Sequence, residues 1–326
     1  MQRAPQRPPP GCAPDSIVLT FPVPRELAGV RLDRFIQGRI PRLSRTRANA
    51  IVRECAHHLD GRRRRPSERV REGEVVLLVR PPFQEPEAPT SFGVVYDDEA
   101  MLVVDKPAGL PVHPSASYHK NTLTFLLRER YPESPPHLAH RLDRETSGVL
   151  VCARTLEDER QLKKAFAGRA VEKVYLAIVR GRIDPDEGQV DLPLGRPDQG
   201  LHLLMVVRED GAPSRTGYRV VARAPEHTLV ALRPLTGRQH QLRVHLAALG
   251  HPIVGDKLYG PEGADAFLEH IETGMTPSLE ARLGHTRQAL HAHRLTIAHP
   301  RSGLPTELTA PLAPDLVALW KRLGGD

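Results

Sequence analysis

Apolar positions near the start of the chain fall twice into helical spacing. Leu32, Phe35, Ile36 and Ile40 stand at i, i+3, i+4 and i+8, the stripe of an amphipathic helix, and Pro41 closes it. Ser44 is a natural N-cap, and behind it Ala48, Ile51, Val52 and Cys55 repeat the spacing. A β-rich run from Ile17 to Phe21 precedes these helices. The turn Asp60-Gly61 and the run from Glu74 to Arg80 follow them. The pattern predicts a compact unit of two helices and short strands over 16–80. Residues 1–15, rich in proline, are expected to be disordered, and the prolines of 81–91 to form a stiff, extended linker.

From residue 92 a larger domain is predicted, running to 326. Phe92 to Tyr96 and Met101 to Asp105 read as a hairpin, followed by a proline-stiffened loop and a helix from Thr122 to Arg130. Val149 to Ala153 is a strand. Thr155 with Asp158 caps a helix whose buried edge is Leu162, Ala165 and Phe166 and which Gly168 ends. Glu172 to Val179 is a strand with Tyr175 on the face opposite Val174, Leu176 and Ile178. Thr216 to Val221, Thr228 to Leu232 and Leu290 to Ile297 are further strands. A helix is expected from Gln239 to Leu249, stopped by Gly250, with Leu242, Leu246 and Leu249 buried and Arg243 beside them. Residues 261–284 look like an insertion with two short helices, and Pro314 to Leu323 a terminal helix that packs Trp320. No internal repeat is visible. Strands and helices alternate irregularly, which argues for the α+β class: a mixed, largely antiparallel sheet flanked by helices, plus the small α/β N-terminal unit.

Charge adds a partner class. The 326 residues carry 46 Lys and Arg against 39 Asp and Glu, a net charge of +7, which points to a polyanion, nucleic acid before membrane surface. Arg31, Arg34, Arg39, Arg42, Arg45, Arg47 and Arg53 lie on the free faces of the two N-terminal helices, and Arg62 to Arg65 follow. That placement suits the backbone of a structured RNA, and a merely solvated charged face is the plainer alternative. Three cysteines without a CxxC suggest neither a disulfide framework nor a zinc ribbon, and hence a reducing cytoplasm. Neither a signal peptide nor a membrane span is expected. Aromatics at 4% disfavour a broad base-stacking platform.

The densest chemistry lies in His140-Arg141-Leu142-Asp143-Arg144-Glu145-Thr146-Ser147-Gly148. Asp143 between Arg141 and Arg144 is expected to stay ionised, as a nucleophile or base rather than a proton donor. His291 and His293 share a strand face, and His240 and His245 are five apart, off the spacing of helical zinc pairs, so no metal is expected. Lys106 beside Pro107 is read as shaping its loop rather than as a Schiff-base lysine.

His-Arg-Leu-Asp-x-x-Thr-Ser-Gly resembles the signature of RluA-type pseudouridine synthases, and other blocks agree in order. These are Asp105-Lys106-Pro107-Ala108-Gly109 with Val112-His113-Pro114, then Glu172-Lys173-Val174-Tyr175, then Leu235 to His245, Gly255 to Gly260 and Leu290 to Leu295. The N-terminal unit resembles an S4-type RNA-binding domain through Arg31-Leu32-Asp33-Arg34-Phe35, Leu43-Ser44-Arg45-Thr46-Arg47 and Val70-Arg71-Glu72-Gly73-Glu74, although His57 to Gly61 has weak strand character where that family has a strand. The resemblance implies an isomerase that turns uridine into pseudouridine in RNA with neither cofactor nor metal. It implies Asp143 as nucleophile or base, Arg243 as the cation that aims it, Tyr175 as the aromatic that holds the freed base, and Arg141 filling the gap left by the flipped nucleotide. His140, Arg144, Thr146 and Arg238 are candidates for RNA contact or loop shaping, and Arg45 and Arg47 for RNA contact in the N-terminal unit. Ribosomal RNA of the large subunit is the preferred target and tRNA the alternative, with a monomer and no obligate protein partner expected. Two other classes compete with this one. A non-catalytic RNA-binding assembly protein would have lost Asp143, Tyr175 or Arg243. A nucleoside glycosidase would need a second carboxylate as general acid, and Glu145 among arginines is a poor one.

Overall fold

The computed structural model describes residues 8–14, 16–40, 43–80, 85–115, 117–201 and 203–325. The chain divides into two compact units, Met1–Gln84 and Glu85–Asp326.

The first unit holds β1 (Ile17–Pro22), α1 (Leu32–Arg39), α2 (Arg45–Cys55), β2 (Ala56–His57) and β3 (Val75–Arg80), with an antiparallel sheet in the order β1-β3-β2. The helical stripes bury Leu32, Phe35, Ile36 and Val52 against Val76 and Leu78 of β3. Ser44 Oγ accepts from the Arg47 backbone N–H at 3.2 Å, so α2 starts at the predicted cap. Asp33 is buried in the first turn of α1, where Arg31 holds it with two hydrogen bonds at 2.9 and 3.1 Å. Pro41 and Arg42 lie outside the described residues, as do 1–7 and 15 of the segment expected to be disordered. Within 8–14 the chain makes a turn, Cys12 N–H to Pro9 C=O at 3.1 Å, with Pro9 buried.

The second unit is built on β4 (Gly93–Asp97), β5 (Met101–Lys106), α3 (Leu123–Arg130), β6 (His137–Leu138), β7 (Ser147–Ala153), α4 (Leu156–Ala167), β8 (Glu172–Arg180), β9 (Glu187–Asp191), β10 (Leu194–Gly195), β11 (Val206–Val207), β12 (Arg215–Arg223), β13 (His227–Pro234), α5 (Gln241–Ala248), α6 (Asp265–Thr273), α7 (Pro277–Leu283), β14 (Leu290–Ala298), β15 (Pro305–Thr309) and α8 (Pro314–Arg322). Ten strands form one mixed sheet, ordered β4-β5-β7-β14-β8-β13-β12-β9, with β15 on β14 and β6 on β7. Its pairings are antiparallel except β7 with β14. Strand periodicity sorts the two faces. On β5, Met101 and Val103 join Val149, Val151 and Leu162 of α4, whereas Leu102 and Val104 join Leu123 and Leu127 of α3. A third core packs Ile178 and Val230 against Leu246 of α5 and Leu316 and Trp320 of α8.

The parallel contact of β7 and β14 explains the glycine of the motif. Gly148 has φ +107°, and a Cβ there would stand 2.2 Å from the Ala292 carbonyl oxygen. Only glycine lets the two central strands meet where the Asp143 loop joins the sheet.

Several expectations change. Helix α5 starts at Gln241, not Gln239, because His240 takes a left-handed conformation (φ 54°) that no helix can continue. Leu249 is 37% exposed, outside the buried stripe. Gly168 caps α4 in right-handed geometry, and Arg169 (φ 58°) makes the left-handed turn. Of the predicted linker, 81–84 lie outside the described residues. Residues 85–91 belong to the second unit, where Glu85 accepts from the backbone N–H of Lys120 and Asn121 and Ala88 packs against the α3 core. Strands β6, β9, β10, β11 and β15 were not predicted. They are short or polar and show no apolar alternation. Among the described residues no helix is long and apolar enough to cross a membrane.

Candidate active site

The Asp143 loop is bolted down from behind. Lys106, fully buried, donates from Nζ to the carbonyl oxygens of Pro107 (2.8 Å), Leu110 (2.9 Å) and Arg144 (3.0 Å), tying two motif blocks through one ammonium. Burial pushes its pKa down to about 7. This is the loop-shaping role read from the sequence. Glu145 turns away from Asp143. It accepts from Lys257 Nζ at 2.8 Å, from Arg144 at 3.3 Å and from the Gln288 N–H at 3.3 Å. Burial would raise its pKa, but Lys257 outweighs that and holds it below the usual carboxylate range. A general acid needs the opposite shift. Thr146 is buried, with Oγ1 accepting from Gln288 Nε2 at 2.7 Å.

In front of the loop lies a cavity of about 410 Å³, with Arg141, Asp143, Tyr175, Arg238, His240 and Arg243 in its wall. The flanking arginines do not hold Asp143, contrary to the sequence expectation. Arg144 donates to the Tyr118 hydroxyl at 2.8 Å and lines a second cavity behind the loop, while the exposed Arg141 side chain makes no ion pair among the described residues. The cation on Asp143 comes instead from a hundred residues away. Arg243 Nη1 lies 3.3 Å from Asp143 Oδ2, while Nε and Nη2 make a fork with both oxygens of buried Asp256, each at 2.7 Å. A planar guanidinium fixed by such a fork has its third nitrogen aimed. Burial opposes the charge on both partners, yet each keeps the other ionised: Asp256 raises Arg243, and Arg243 lowers Asp256. Asp256 also caps its own turn by accepting from Leu258 and Tyr259 N–H, and the Tyr259 ring lies against the guanidinium at 4.9 Å.

The turn from β13 into α5 carries the remaining wall. Buried Gln241 closes it: its Oε1 accepts from Thr236 Oγ1 (2.7 Å) and Arg238 N–H (3.1 Å), and its Nε2 donates to Arg215 C=O and Thr216 Oγ1, each at 2.9 Å. His240 then reaches over the cavity, with Nε2 3.9 Å from Asp143 Oδ2. Burial, with Arg243 nearby, pushes its pKa down to about 4, so it is neutral at physiological pH. Tyr175, between Leu232 and Ala292 in the middle of the sheet, presents its ring to the cavity. Burial, reinforced by Asp143, raises its hydroxyl pKa, so it remains a phenol. His140 stacks on Phe166 at 4.5 Å, accepts from Val151 N–H at 3.0 Å, and is pushed down to about 3 by burial. It is a neutral part of the wall, not a phosphate clamp. Arg238 is exposed at the mouth without an ion pair among the described residues.

The structure thus brings Asp143, Tyr175, Arg243, Arg141, Arg238, His140 and Thr146 around one cavity, and places Arg144 on a second one behind the loop. Sequence reasoning missed Asp256, Tyr259 and His240. The Gly255-to-Gly260 block was visible, but nothing in its spacing says that its acid grips Arg243. Lys173 was also passed over; it lines the cavity half-buried, its pKa lowered by burial. His291 and His293 both hydrogen-bond the Ala310 carbonyl, and no group of metal-ligating side chains occurs among the described residues.

Known proteins match both sequence and fold. The sequence model of the RNA pseudouridylate synthase family matches residues 100–248. A protein of Chloroflexus aurantiacus described as an uncharacterized RNA pseudouridine synthase is 40% identical over 310 residues, 92% of this chain and 92% of that one. Ribosomal large subunit pseudouridine synthase D of Xanthomonas campestris is 40% identical over 320 residues, 96% of this chain and 94% of its own. Among solved structures, human RNA pseudouridylate synthase domain containing 4 aligns with a TM-score of 0.57 at 31% identity, covering 71% of this chain and 93% of that one. Human RNA pseudouridylate synthase domain containing 1 aligns with 0.56 at 30%, covering 72% and 90%.

Proposed function

We propose, from the premise that this chain belongs to the RNA pseudouridylate synthase family and is an isomerase acting on RNA, that it modifies large-subunit ribosomal RNA with Asp143 as the reacting carboxylate. In the reaction the N1–C1′ bond of a uridine breaks, the uracil turns, and C5 bonds to C1′. The C5 proton leaves and N1 gains one, so atoms balance without a redox partner. Asp143 attacks C1′ or takes the 2′-proton. Arg243 aims the carboxylate, and Tyr175 stacks on the freed base with its phenol protonated. Arg141 and Arg238, uncommitted at the mouth, meet the RNA, with Arg141 in the place of the flipped nucleotide. The observation that carries this reading is the aimed pair, Arg243 Nη1 at 3.3 Å from Asp143 with its other nitrogens locked on Asp256.

The ribosomal target rests on the large-subunit synthases of similar length and on the N-terminal unit. That unit resembles an S4-type domain, and its Arg34, Arg45, Arg47 and Arg53 are exposed without ion pairs among the described residues. We place the protein in the cytoplasm as a monomer, where its three free cysteines stay reduced. The test is pseudouridine mapping of total RNA from cells lacking the protein, complemented with wild type or Asp143→Asn. Loss of one or a few ribosomal sites that only wild type restores is the expected result. Loss confined to tRNA would move the target, and no change at any site would sink the assignment.

A further inference from the structure

One hydrogen-bond chain in the cavity wall ends in a donor that the reading above leaves unused. Met205 N–H donates to the Tyr259 hydroxyl oxygen at 2.9 Å, and that oxygen lies 2.7 Å from His240 Nδ1. With the Tyr259 proton donated to Nδ1, the neutral imidazole carries its own proton on Nε2. The ring is held for this. It packs edge-on to Tyr259 with centroids 5.6 Å apart, and its backbone sits at φ 54°. Non-glycine residues kept in that left-handed region concentrate where function needs the geometry.

The donor faces Asp143 across 3.9 Å, too far for a direct hydrogen bond. A single hydroxyl roughly 2.8 Å from each would bridge them. It must be an acceptor towards Nε2–H and a donor towards the carboxylate. A phosphate or carbonyl oxygen fails the second requirement and would be repelled by Asp143. We propose that His240 Nε2–H and Asp143 Oδ2 form a subsite for the ribose 2′-hydroxyl of the target nucleotide. The 2′-hydroxyl is both donor and acceptor, and it separates RNA from DNA. The inference rests on Asp143 being the carboxylate beside the sugar. With Oδ2 engaged by Arg243 and the hydroxyl, Oδ1, which has no hydrogen-bond partner among the described residues, is left to face the reacting carbons.

The experiment compares full-length wild type and His240→Asn on one RNA oligonucleotide carrying the mapped uridine, made with either ribose or 2′-deoxyribose at that nucleotide alone. Asparagine tolerates the left-handed backbone, and its amide ends near the place of Nδ1, so no donor reaches the place of Nε2. The readout is the single-turnover rate of pseudouridine formation. Wild type should be slower on the deoxy substrate by about ten- to a hundredfold, the effect of losing a hydrogen bond to a charged group. His240→Asn should be slower on the ribose substrate by a similar factor, with its preference for ribose collapsed to within about threefold. His240→Gly repeats the test should the asparagine variant unfold. Tyr259→Phe, which frees the tautomer, should lower the preference in part. An undiminished ribose preference in the His240 variants overturns the subsite. Failure of wild type to modify the ribose RNA overturns the proposed function instead.

Discussion

Asp143 and Glu145 lie two residues apart, face different cavities and are held by cations to different degrees. Asp143, with a side chain 29% exposed, has one guanidinium nitrogen at 3.3 Å and an open oxygen. Glu145 is gripped by buried Lys257 at 2.8 Å, by Arg144 and by the Gln288 N–H. The loop between them is the wall separating chemistry from scaffolding. A carboxylate that must react is left partly unsatisfied, whereas one that must hold a loop is saturated. Residue type does not distinguish these roles; the number and aim of the partners does.

The contrast breaks most sharply by substitution at the two acids. Asp143→Asn should lower activity on the order of 10³-fold with an unchanged unfolding midpoint. Glu145→Gln leaves Lys257 buried without its anion and should cost about 3 kcal/mol of stability, while the folded fraction retains turnover within a few-fold. Single-turnover rates and urea unfolding on the same preparations decide it. A dead Glu145→Gln with wild-type stability would overturn the division of labour.

Asp256 tests whether aim, not charge alone, matters at Asp143. Asp256→Asn retains one acceptor for Arg243 but loses the charged fork. Activity should fall about a hundredfold, the loss seen when a positioning group lets a reacting group drift by about an ångström, mostly in kcat rather than KM. A fall confined to KM would point to RNA binding instead.

The same division of committed and free charge sharpens in the N-terminal unit. Arg64 is buried between Glu68 and Glu74, while Arg45 and Arg47 stand exposed without ion pairs among the described residues. Replacing Arg45 and Arg47 with alanine should weaken RNA binding at low salt and flatten its salt dependence by about one unit of log–log slope per arginine. Arg64→Ala should instead lower stability and leave the slope alone. Filter binding across a salt series separates the two.

Much of this was legible in the sequence where the signal is local. Helical spacing set α1, α2 and α4, Ser44 and Thr155 marked true caps, and β-rich apolar runs set β5, β7 and β8. The motif blocks pointed to the Asp143, Tyr175 and Arg243 that meet around one cavity. What was not legible is long-range. The sequence pairs Asp143 with its neighbours Arg141 and Arg144, because sequence proximity is the only distance a sequence offers. The loop turns those side chains elsewhere, and the sheet delivers Arg243 from α5. Asp256 was hidden because its partner is fixed by a turn with Gly255 at φ +78°, where a Cβ would meet the Arg287 carbonyl oxygen at 1.9 Å. The left-handed His240 was hidden because histidine carries no glycine-like warning of such a conformation.

The smallest effect expected is on the acid side of the stability curve, and it isolates Glu145. Its folded pKa lies below the ordinary value of about 4.3, because Lys257 outweighs the cost of burial. A depressed carboxyl binds fewer protons folded than unfolded, so its contribution is complete above the unfolded pKa and is lost as pH falls through the folded one. The stability gap between wild type and Glu145→Gln should therefore be flat above roughly pH 5 and shrink below roughly pH 4. Asp315, drawn down by His285 and Arg287 against the effect of burial, titrates in the same direction. It does so in both proteins, so the difference between their urea midpoints cancels it. A gap that widened on acidification would mean that Glu145 enters the fold protonated, and Lys257 would then need another anion to account for its burial.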